Sequence, residues 1–497
     1  MGRIYISAGH KSSGKTTLSI GLCASLSQQG KRIQPFKKGP DYIDPLWLGN
    51  ASSINKPRQC YNLDFNTQSS DEIIHTLNHY GTDADISIIE GNKGLYDGVA
   101  LNGSDSNAAM AKLTQSPVIL VIDARGVTRG VAPLLLGYQH FDKDINIAGV
   151  IYNFCGGARH EQKLRAVTEE YTDIPVFGML RKSNSMDLAE RHLGLMPSNE
   201  TKDAKRRISE IAQFVTGSVD LSKVIECADS AEILPDAEQT LIVNTSLIKT
   251  KDHIKLRIGI CEDAAFGFYY ADDKQALTNA GAELISINTL NDDALPNDLD
   301  GLFIGGGFPE TQMKALEANE SMRESIHDAI EAGLPTYAEC GGLMYLSESI
   351  HWNNEFAEMV GIIPANAQMN KKPQGRGYVK LEETDDMPWI NTIDNSDLLS
   401  HDNDAISSLA PSINAHEFHY SSLENVNEKG TFAFKVKRGV GITGEHDGWV
   451  YKNLVANYSH IRHTNAFPWA NRFIAFIRTK ATTNDEAVHK LANINED

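Results

Sequence analysis

Gly9-His10-Lys11-Ser12-Ser13-Gly14-Lys15-Thr16 follows the apolar run Ile4-Tyr5-Ile6 and leads into a helix-forming stretch, Thr17 to Ser27. The octet fits G-x-x-x-x-G-K-[ST], a loop whose backbone N–H groups cradle phosphates when it joins a strand to a helix. The N-terminal part is therefore expected to be a P-loop α/β domain. Gly9, Ser13, Gly14, Lys15, Thr16 and Thr17 are the expected nucleotide-binding residues. Lys15 would reach the β and γ oxygens of ATP, and the Thr16 hydroxyl would hold Mg²⁺.

Outward from the loop, residues 1–197 alternate short buried-type strands (Ile4–Ser7, Ile86–Ile89, Val118–Asp123, Ile147–Asn153 and Val176–Met179) with helical stretches. Apolar runs of that length separated by amphipathic segments predict a parallel sheet covered on both faces. Polar groups gather where loops leave the carboxyl edge of such a sheet, the edge at which open α/β folds bind ligands. Phe36 to Pro45 places Lys37, Lys38, Asp41, Tyr42 and Asp44 in a turn stiffened by Pro40 and Pro45. Lys37, Asp41 and Tyr42 are read as substrate contacts and Asp44 as a Mg²⁺ ligand, with Asp41 competing for that role. Glu90 ends a strand beside the loop and is the second carboxylate expected on Mg²⁺. Asp97 either meets substrate or metal, or caps a turn. Asp123 also ends a strand; so does Asn153, which either reads the nucleotide base or is a turn residue.

Residues 198–256 turn polar and read as a helical linker. Residues 257–478 form a second alternating block, and 479–497 a polar tail. Within the second block Tyr337-Ala338-Glu339-Cys340-Gly341-Gly342 puts a cysteine at a sharp strand-to-helix turn. A thiol at a helix N-terminus has the setting of a nucleophile. Gly305-Gly306-Gly307-Phe308-Pro309-Glu310 follows the strand Gly301–Ile304, and the N–H groups of Gly306, Gly307 and Gly341 are the expected oxyanion donors. The histidine base lies among His416, His419, His446, His460 and His463. His416-Glu417-Phe418-His419 falls one residue short of H-E-x-x-H, so no zinc-protease site is read there.

At 497 residues the chain has room for several cores. Its 41% hydrophobic and 22% charged composition is that of a globular protein. A net charge of -19 opposes nonspecific binding to nucleic acid or to anionic membranes. An anionic substrate would instead meet the local cluster Lys11, Lys15, Lys31, Arg32, Lys37 and Lys38. No apolar run of the ~18 residues that span a bilayer occurs, and no export signal is seen, so a cytoplasmic protein is expected. The six cysteines, Cys23, Cys60, Cys155, Cys227, Cys261 and Cys340, contain no C-x-x-C pair, which disfavours a disulfide framework or zinc site.

Lys38-Gly39-Pro40-Asp41-Tyr42-Ile43-Asp44-Pro45, Glu90-Gly91-Asn92-Lys93-Gly94-Leu95-Tyr96-Asp97-Gly98 and Glu190-Arg191-His192-Leu193-Gly194-Leu195 together resemble the cobyrinic acid a,c-diamide synthase family over about residues 3–475. The resemblance implies two doubly wound α/β domains: a dethiobiotin-synthetase-like P-loop domain, then a class I glutamine amidotransferase domain. It implies Cys340 and His460 as catalytic residues, His460 because Val455 to His460 resembles the family's histidine strand; His463 is second. Arg462 stands where the amidotransferase triad has Glu, as is usual in this family, so a Cys-His dyad is expected. The implied reaction is ATP- and glutamine-dependent amidation of the a and c acetates of a cobyrinate-type tetrapyrrole through an acyl phosphate. Small molecules are the expected partners, and a homodimer is left open. Leu48 in place of His, the loop's His10 to Ser13, Ser106-Asn107 in place of Ser-Thr, and Ala415 in place of Gly depart from the family pattern. They leave sirohaem and (nickel) sirohydrochlorin open as acceptors. Cobyric acid synthase, or a partition-type regulatory ATPase with an inert amidotransferase module, are the more distant readings; His10 and the intact Cys340 and His460 weigh against the latter.

Overall fold

The computed structural model describes residues 2–54, 56–183, 190–191, 194–201, 203–234, 255–389, 412–427 and 430–480. The chain divides into two compact units, Met1–Thr240 and Leu241–Asp497. Among the described residues no helix is long and apolar enough to cross a membrane.

The first unit is built on strands β1 (Gly2–Ala8), β2 (Ile33–Lys38), β3 (Tyr61–Leu63), β4 (Ile86–Gly94), β5 (Val118–Asp123), β6 (Ile147–Cys155) and β7 (Val176–Arg181). All pair in parallel, in the order β3-β2-β4-β1-β5-β6-β7. Side chains alternate between the faces of a strand, so Ile4 and Ile6 enter one core while Tyr5 enters the other. Helices α1 (Lys15–Gln28) and α2 (Ile43–Ser52) cover the first face; α3 (Ser70–Gly81), α4 (Asn107–Leu113), α5 (Val131–Phe141) and α6 (Ala158–Tyr171) cover the second. β2 and β3 escaped the sequence reading, since Gln34, Pro35, Lys37 and Lys38 interrupt the apolar signal of β2.

The segment read as a linker begins as part of this core. Helices α7 (Ala204–Ser218) and α8 (Leu221–Asp229) bury Ile208, Ile211, Ala212, Val215, Val224 and Ala228 with α1. Their outward charges hid an apolar stripe at helical spacing. Residues 235–254 of the proposed linker and 481–497 of the proposed tail lie outside the described residues, as do His192 and Leu193. On either side of that pair, β8 (Glu190–Arg191) and β9 (Gly194–Leu195) form an antiparallel bridge.

The second unit contains β10 (Leu256–Cys261), β11 (Phe266–Phe268), α9 (Ala271–Asn279), β12 (Ala282–Ile287), β13 (Gly301–Ile304), β14 (Gly306–Gly307), α10 (Pro309–Ala318), α11 (Glu320–Glu331), β15 (Thr336–Glu339) and α12 (Gly341–Leu346). Then come β16 (Ser347–Trp352), β17 (Glu355–Glu358), β18 (Ile363–Met369), β19 (Gly375–Glu383), β20 (Ile413–His419), β21 (Ser421–Glu424), β22 (Phe432–Arg438), β23 (His446–Tyr451) and β24 (Leu454–Asn457). A nine-stranded sheet runs β12-β10-β13-β15-β24-β23-β22-β19-β20. Its first five strands are parallel and the rest antiparallel. One face packs on α10, α11, α12 and a four-stranded sheet, β17-β16-β18-β21; the other packs on α9 and a helix over 469–480.

Ile211→Ala should test whether α7 belongs to the first core. It is expected to destabilise that unit by about 2–5 kcal/mol, read as a lower urea midpoint.

Candidate functional site

The phosphate loop leaves β1 at Ala8 and enters α1 at Lys15. Gly14 has φ 81°, and a Cβ there would stand 2.2 Å from Asn153 Nδ2, so both conformation and space require glycine. The loop is braced from outside: Tyr138 Oη donates to Gly9 O at 2.5 Å, Ser13 Oγ donates to His10 O at 2.7 Å, and Gly9 N donates to Val121 O at 3.1 Å. Asn153 Nδ2 donates to Ser13 O at 3.0 Å, and its Oδ1 accepts from Phe154 N at 2.9 Å. Engaged at both ends, Asn153 braces the loop from β6. Thr17 is half-buried in the first turn of α1. Lys15 is buried, and burial together with the neighbouring Lys37 pulls its pKa down to about 8.

Strand register assembles the groups beside this loop. In parallel pairing Glu90 lies opposite both Ile6 and Lys37, so the ends of β1, β2 and β4 meet. Thr16 Oγ1 donates to Glu90 Oε1 at 2.7 Å and to Asp44 Oδ2 at 3.1 Å. Lys37 Nζ is 2.5 Å from Asp44 Oδ2, 2.9 Å from Glu90 Oε1 and 3.8 Å from Asp41 Oδ2. Glu90 is fully buried, burial raises its pKa, and its Oε2 has no hydrogen-bond partner among the described residues. A hydroxyl and two carboxylates with an unsatisfied oxygen suit a hard cation. Mg²⁺ takes one or two carboxylates together with water and phosphate oxygens. No group of three or more His, Cys, Asp or Glu forms a metal cage among the described residues, and Mg²⁺ does not require one.

The other expected contacts divide. Asp41 Oδ1 accepts from Ile43 N and Asp44 N, starting α2, and Tyr42 is buried beside it. Asp97 Oδ2 accepts from Gly94 N at 3.1 Å, the turn-capping alternative. Lys38 Nζ donates to Asp105 O at 2.7 Å, and burial pulls its pKa to about 8. Lys31 and Arg32 precede β2, a strand's length from the loop edge, and Arg32 pairs with Asp85 at 2.7 Å. The expected basic cluster therefore loses these two.

In the second unit Thr336 to Glu339 pair in parallel with Leu454 to Asn457. This register carries Cys340 and His460 past adjacent strand ends to a common point. Cys340 N donates to Asn457 O at 2.7 Å. Cys340 has φ 47° and ψ −101°, a strained conformation for a residue with a Cβ that throws its thiol clear of the strand. The thiol is a hydrogen-bond partner of His460. A Cβ on Gly306 would lie 2.6 Å from His460 Cε1, and one on Gly341 would lie 2.9 Å from Gly307 N. The Gly-rich turn thus sits against the imidazole and the residue after the nucleophile, while Gly305 N is taken by Tyr269 Oη at 2.9 Å.

His463, the second choice as base, has its Nδ1 accepting from Ala470 N at 3.2 Å, and burial pulls its pKa to about 4. It organises the turn before the helix over 469–480. The sequence reading missed Glu339, whose Oε2 lies 3.2 Å from His460 Nδ1. Its signal was a carboxylate in an otherwise apolar strand, adjacent to the nucleophile. All six cysteines are buried and unpaired; burial raises Cys23, Cys155 and Cys227 to about 12, and holds Cys60 and Cys261 well above the ordinary thiol value.

Comparison with known proteins covers both units. Residues 4–195 match the model of the CobQ/CobB/MinD/ParA nucleotide binding domain, and residues 257–467 that of the CobB/CobQ-like glutamine amidotransferase domain. A cobyrinate a,c-diamide synthase from Magnetococcus marinus is 39% identical over 482 residues, 97% of this chain and 98% of that one. Those of Methanosarcina acetivorans and Methanosarcina barkeri are 39% and 37% identical, each covering 92% of both chains.

Gly306→Ala should displace the His460 ring without touching the core. A misplacement on the order of 1 Å costs roughly a hundredfold in rate, so glutamine hydrolysis is expected to fall by about that factor, with an unchanged circular dichroism spectrum.

Proposed function

Because the chain belongs to the cobyrinate a,c-diamide synthase family, we propose that it converts the a and c acetate carboxylates of cobyrinate to amides, using ATP and taking nitrogen from glutamine. The chain is an enzyme, a glutamine-dependent amidating ligase. The observation that carries the substrate reading is the span of the likeness: 482 residues at 39% identity run through both centres.

In the glutaminase half, Cys340 Sγ attacks the side-chain amide carbon of glutamine while its proton passes to His460. The N–H groups of Gly307 and Gly341 are the candidates to meet the oxyanion, with Gly306 making room for the ring. The C–N bond breaks, His460 returns the proton to the leaving nitrogen, and ammonia departs. Water then hydrolyses the glutamyl thioester, freeing glutamate and the thiol.

In the ligase half, a substrate carboxylate oxygen attacks the γ-phosphorus of ATP and ADP leaves, giving an acyl phosphate. Ammonia attacks the acyl carbon and phosphate leaves, which completes the amide. The loop N–H groups and Lys15 would hold the phosphates, and Lys37 would neutralise charge gathered at the carboxylate cluster. Thr16, Asp44 and Glu90 would hold Mg²⁺, which when bound supplies charge neutralisation on the transferred phosphoryl group. Asp41 and Tyr42 remain our candidates for substrate contacts, while Asp97 is better read as a cap.

Of the departures from the family pattern, Leu48, Asn107 and Ala415 fall on packing or bracing positions, whereas His10, Lys11 and Ser12 are exposed on the phosphate loop. Leu48 is fully buried in the α1–α2 core, and Ala415 is fully buried in β20. Asn107 accepts from Tyr5 Oη at 2.8 Å and donates to Gly94 O at 2.7 Å, bracing the loop after Glu90. These positions give no support to sirohaem or sirohydrochlorin as acceptor.

The test is amide formation, followed by chromatography and mass spectrometry, on cobyrinate with and without cobalt, sirohaem, sirohydrochlorin and its nickel form. Replacement of two OH groups by NH₂ on cobyrinate is the expected result, and amidation of another member alone would move the reading to that acceptor. Cys340→Ala should abolish glutamine-dependent product yet retain product with ammonium chloride; loss of both would sink the two-centre model. Chelating divalent cations with EDTA should stop the ammonium-driven reaction, and added Mg²⁺ should restore it.

A further inference from the structure

The position two residues after His460, where an amidotransferase triad carries its carboxylate, is closed to that role. It holds Arg462, whose guanidinium is fully buried, lies 2.5 Å from Asp272 Oδ2 and covers the ring of Tyr270 at 5.0 Å. A histidine that must accept a proton at one ring nitrogen works best when the other is held by an anion, which fixes the tautomer and supports the imidazolium. Glu339 provides that anion from another part of the chain.

We propose that Glu339, the residue immediately before the nucleophile, is the positioning residue of the glutaminase centre and takes the place of the missing triad carboxylate. The proposal rests on the reading of Cys340 and His460 as nucleophile and base. Three observations support it. Glu339 is the last residue of β15, opposite Asn457, so the parallel register brings its side chain under the turn that carries His460. It is 3% exposed, and its two oxygens are separately engaged. Oε2 lies 3.2 Å from His460 Nδ1, while Oε1 accepts from Tyr337 Oη at 2.6 Å and from Ile461 N at 3.0 Å. The bonds to Oε1 lock the carboxylate in rotation, so Oε2 is presented to the imidazole in one orientation. The remaining neighbours do not substitute for it. His416 stacks on the ring, with centroids 5.0 Å apart, and burial and the neighbouring His460 hold its pKa well below normal. Tyr270 Oη approaches His416 Nδ1 at 3.4 Å. Asp272 is committed to Arg462, and Asp273 accepts from His463 N and Trp469 Nε1.

Burial alone pulls the His460 imidazolium down. The hydrogen bond and charge of Cys340, and then those of Glu339, outweigh it and push the pKa up to about 10. Removing the Glu339 charge therefore lowers the pH at which the imidazolium is lost.

Glu339→Gln separates charge from packing, because the amide oxygen still accepts from Tyr337 and Ile461 while its NH₂ donates to Nδ1 and selects the wrong tautomer. Full-length enzyme is assayed for glutamine hydrolysis against pH, and for amidation with ammonium chloride. The expected result is a fall in kcat for glutamine of about 10²–10⁴-fold, an unmoved KM, an alkaline limb of the pH profile displaced to lower pH, and unchanged ammonium-driven amidation. Wild-type kcat and pH profile in Glu339→Gln, with Cys340→Ala and His460→Ala inactive on glutamine, would overturn the proposal and leave the nucleophile and base standing. Full glutaminase activity in His460→Ala would overturn the underlying reading. If Glu339→Gln does not fold, Glu339→Asp decides. Its carboxylate, drawn back by one methylene, is expected to lower kcat by about tenfold or more, and an undiminished kcat would overturn the proposal.

Discussion

In-register parallel pairing is the constraint on which both centres depend. Parallel strands end at the same edge, so residues far apart in the chain can be delivered to one point only if the hydrogen-bond ladder fixes how far each strand extends. In the first unit β1, β2 and β4 run out together, bringing the phosphate loop, Lys37 and Glu90 into contact. In the second, the pairing of Thr336 with Leu454 through Glu339 with Asn457 places Cys340 and His460, 120 positions apart, within reach of each other. A slip of one residue would turn Glu339 to the opposite face of the sheet, exchange the cores that Tyr337 and Ala338 fill, and dismantle the centre.

The carboxylate cluster of the first unit shows what such an edge must tolerate. Lys37, Asp44 and Glu90 are held almost out of solvent, and desolvating ions costs several kcal/mol each before their attraction returns any of it. Apolar residues of similar volume would serve stability as well or better. The arrangement makes sense as a place prepared for charge that arrives with the nucleotide: an oxygen of Glu90 is left unsatisfied, and Lys15 is surrounded by enough protein to depress its own protonation.

What could be read from the sequence was whatever has a local signature. The phosphate loop, the carboxylate at the end of β4, the Gly-rich turn and the cysteine elbow each depend on a few consecutive residues, and the structure brings them to the expected strand ends. What could not be read depends on neighbours remote in the chain. Glu339 draws its meaning from His460; alone, it is a polar residue in a short strand. Asn153 ends its strand as expected, yet its amide is turned onto Ser13 O, a contact visible only once β1 and β6 are placed about β5. The charged outer faces of α7 and α8 outweighed, by composition, the stripe of Ile208, Ile211 and Val215 that seals the sheet. β2 was lost for the opposite reason: one of the residues that interrupt its apolar pattern, Lys37, is the one it carries to the site.

The burial of the cysteines has a consequence for the chemistry of damage. A sulfhydryl reacts with peroxides and alkylating agents as its thiolate, and burial suppresses that form at Cys23, Cys60, Cys155, Cys227 and Cys261. Cys340 differs from these five in standing against an imidazole, that of His460. On the proposed mechanism, oxidation would therefore strike Cys340 first, removing glutamine-dependent turnover before the ammonium-driven reaction.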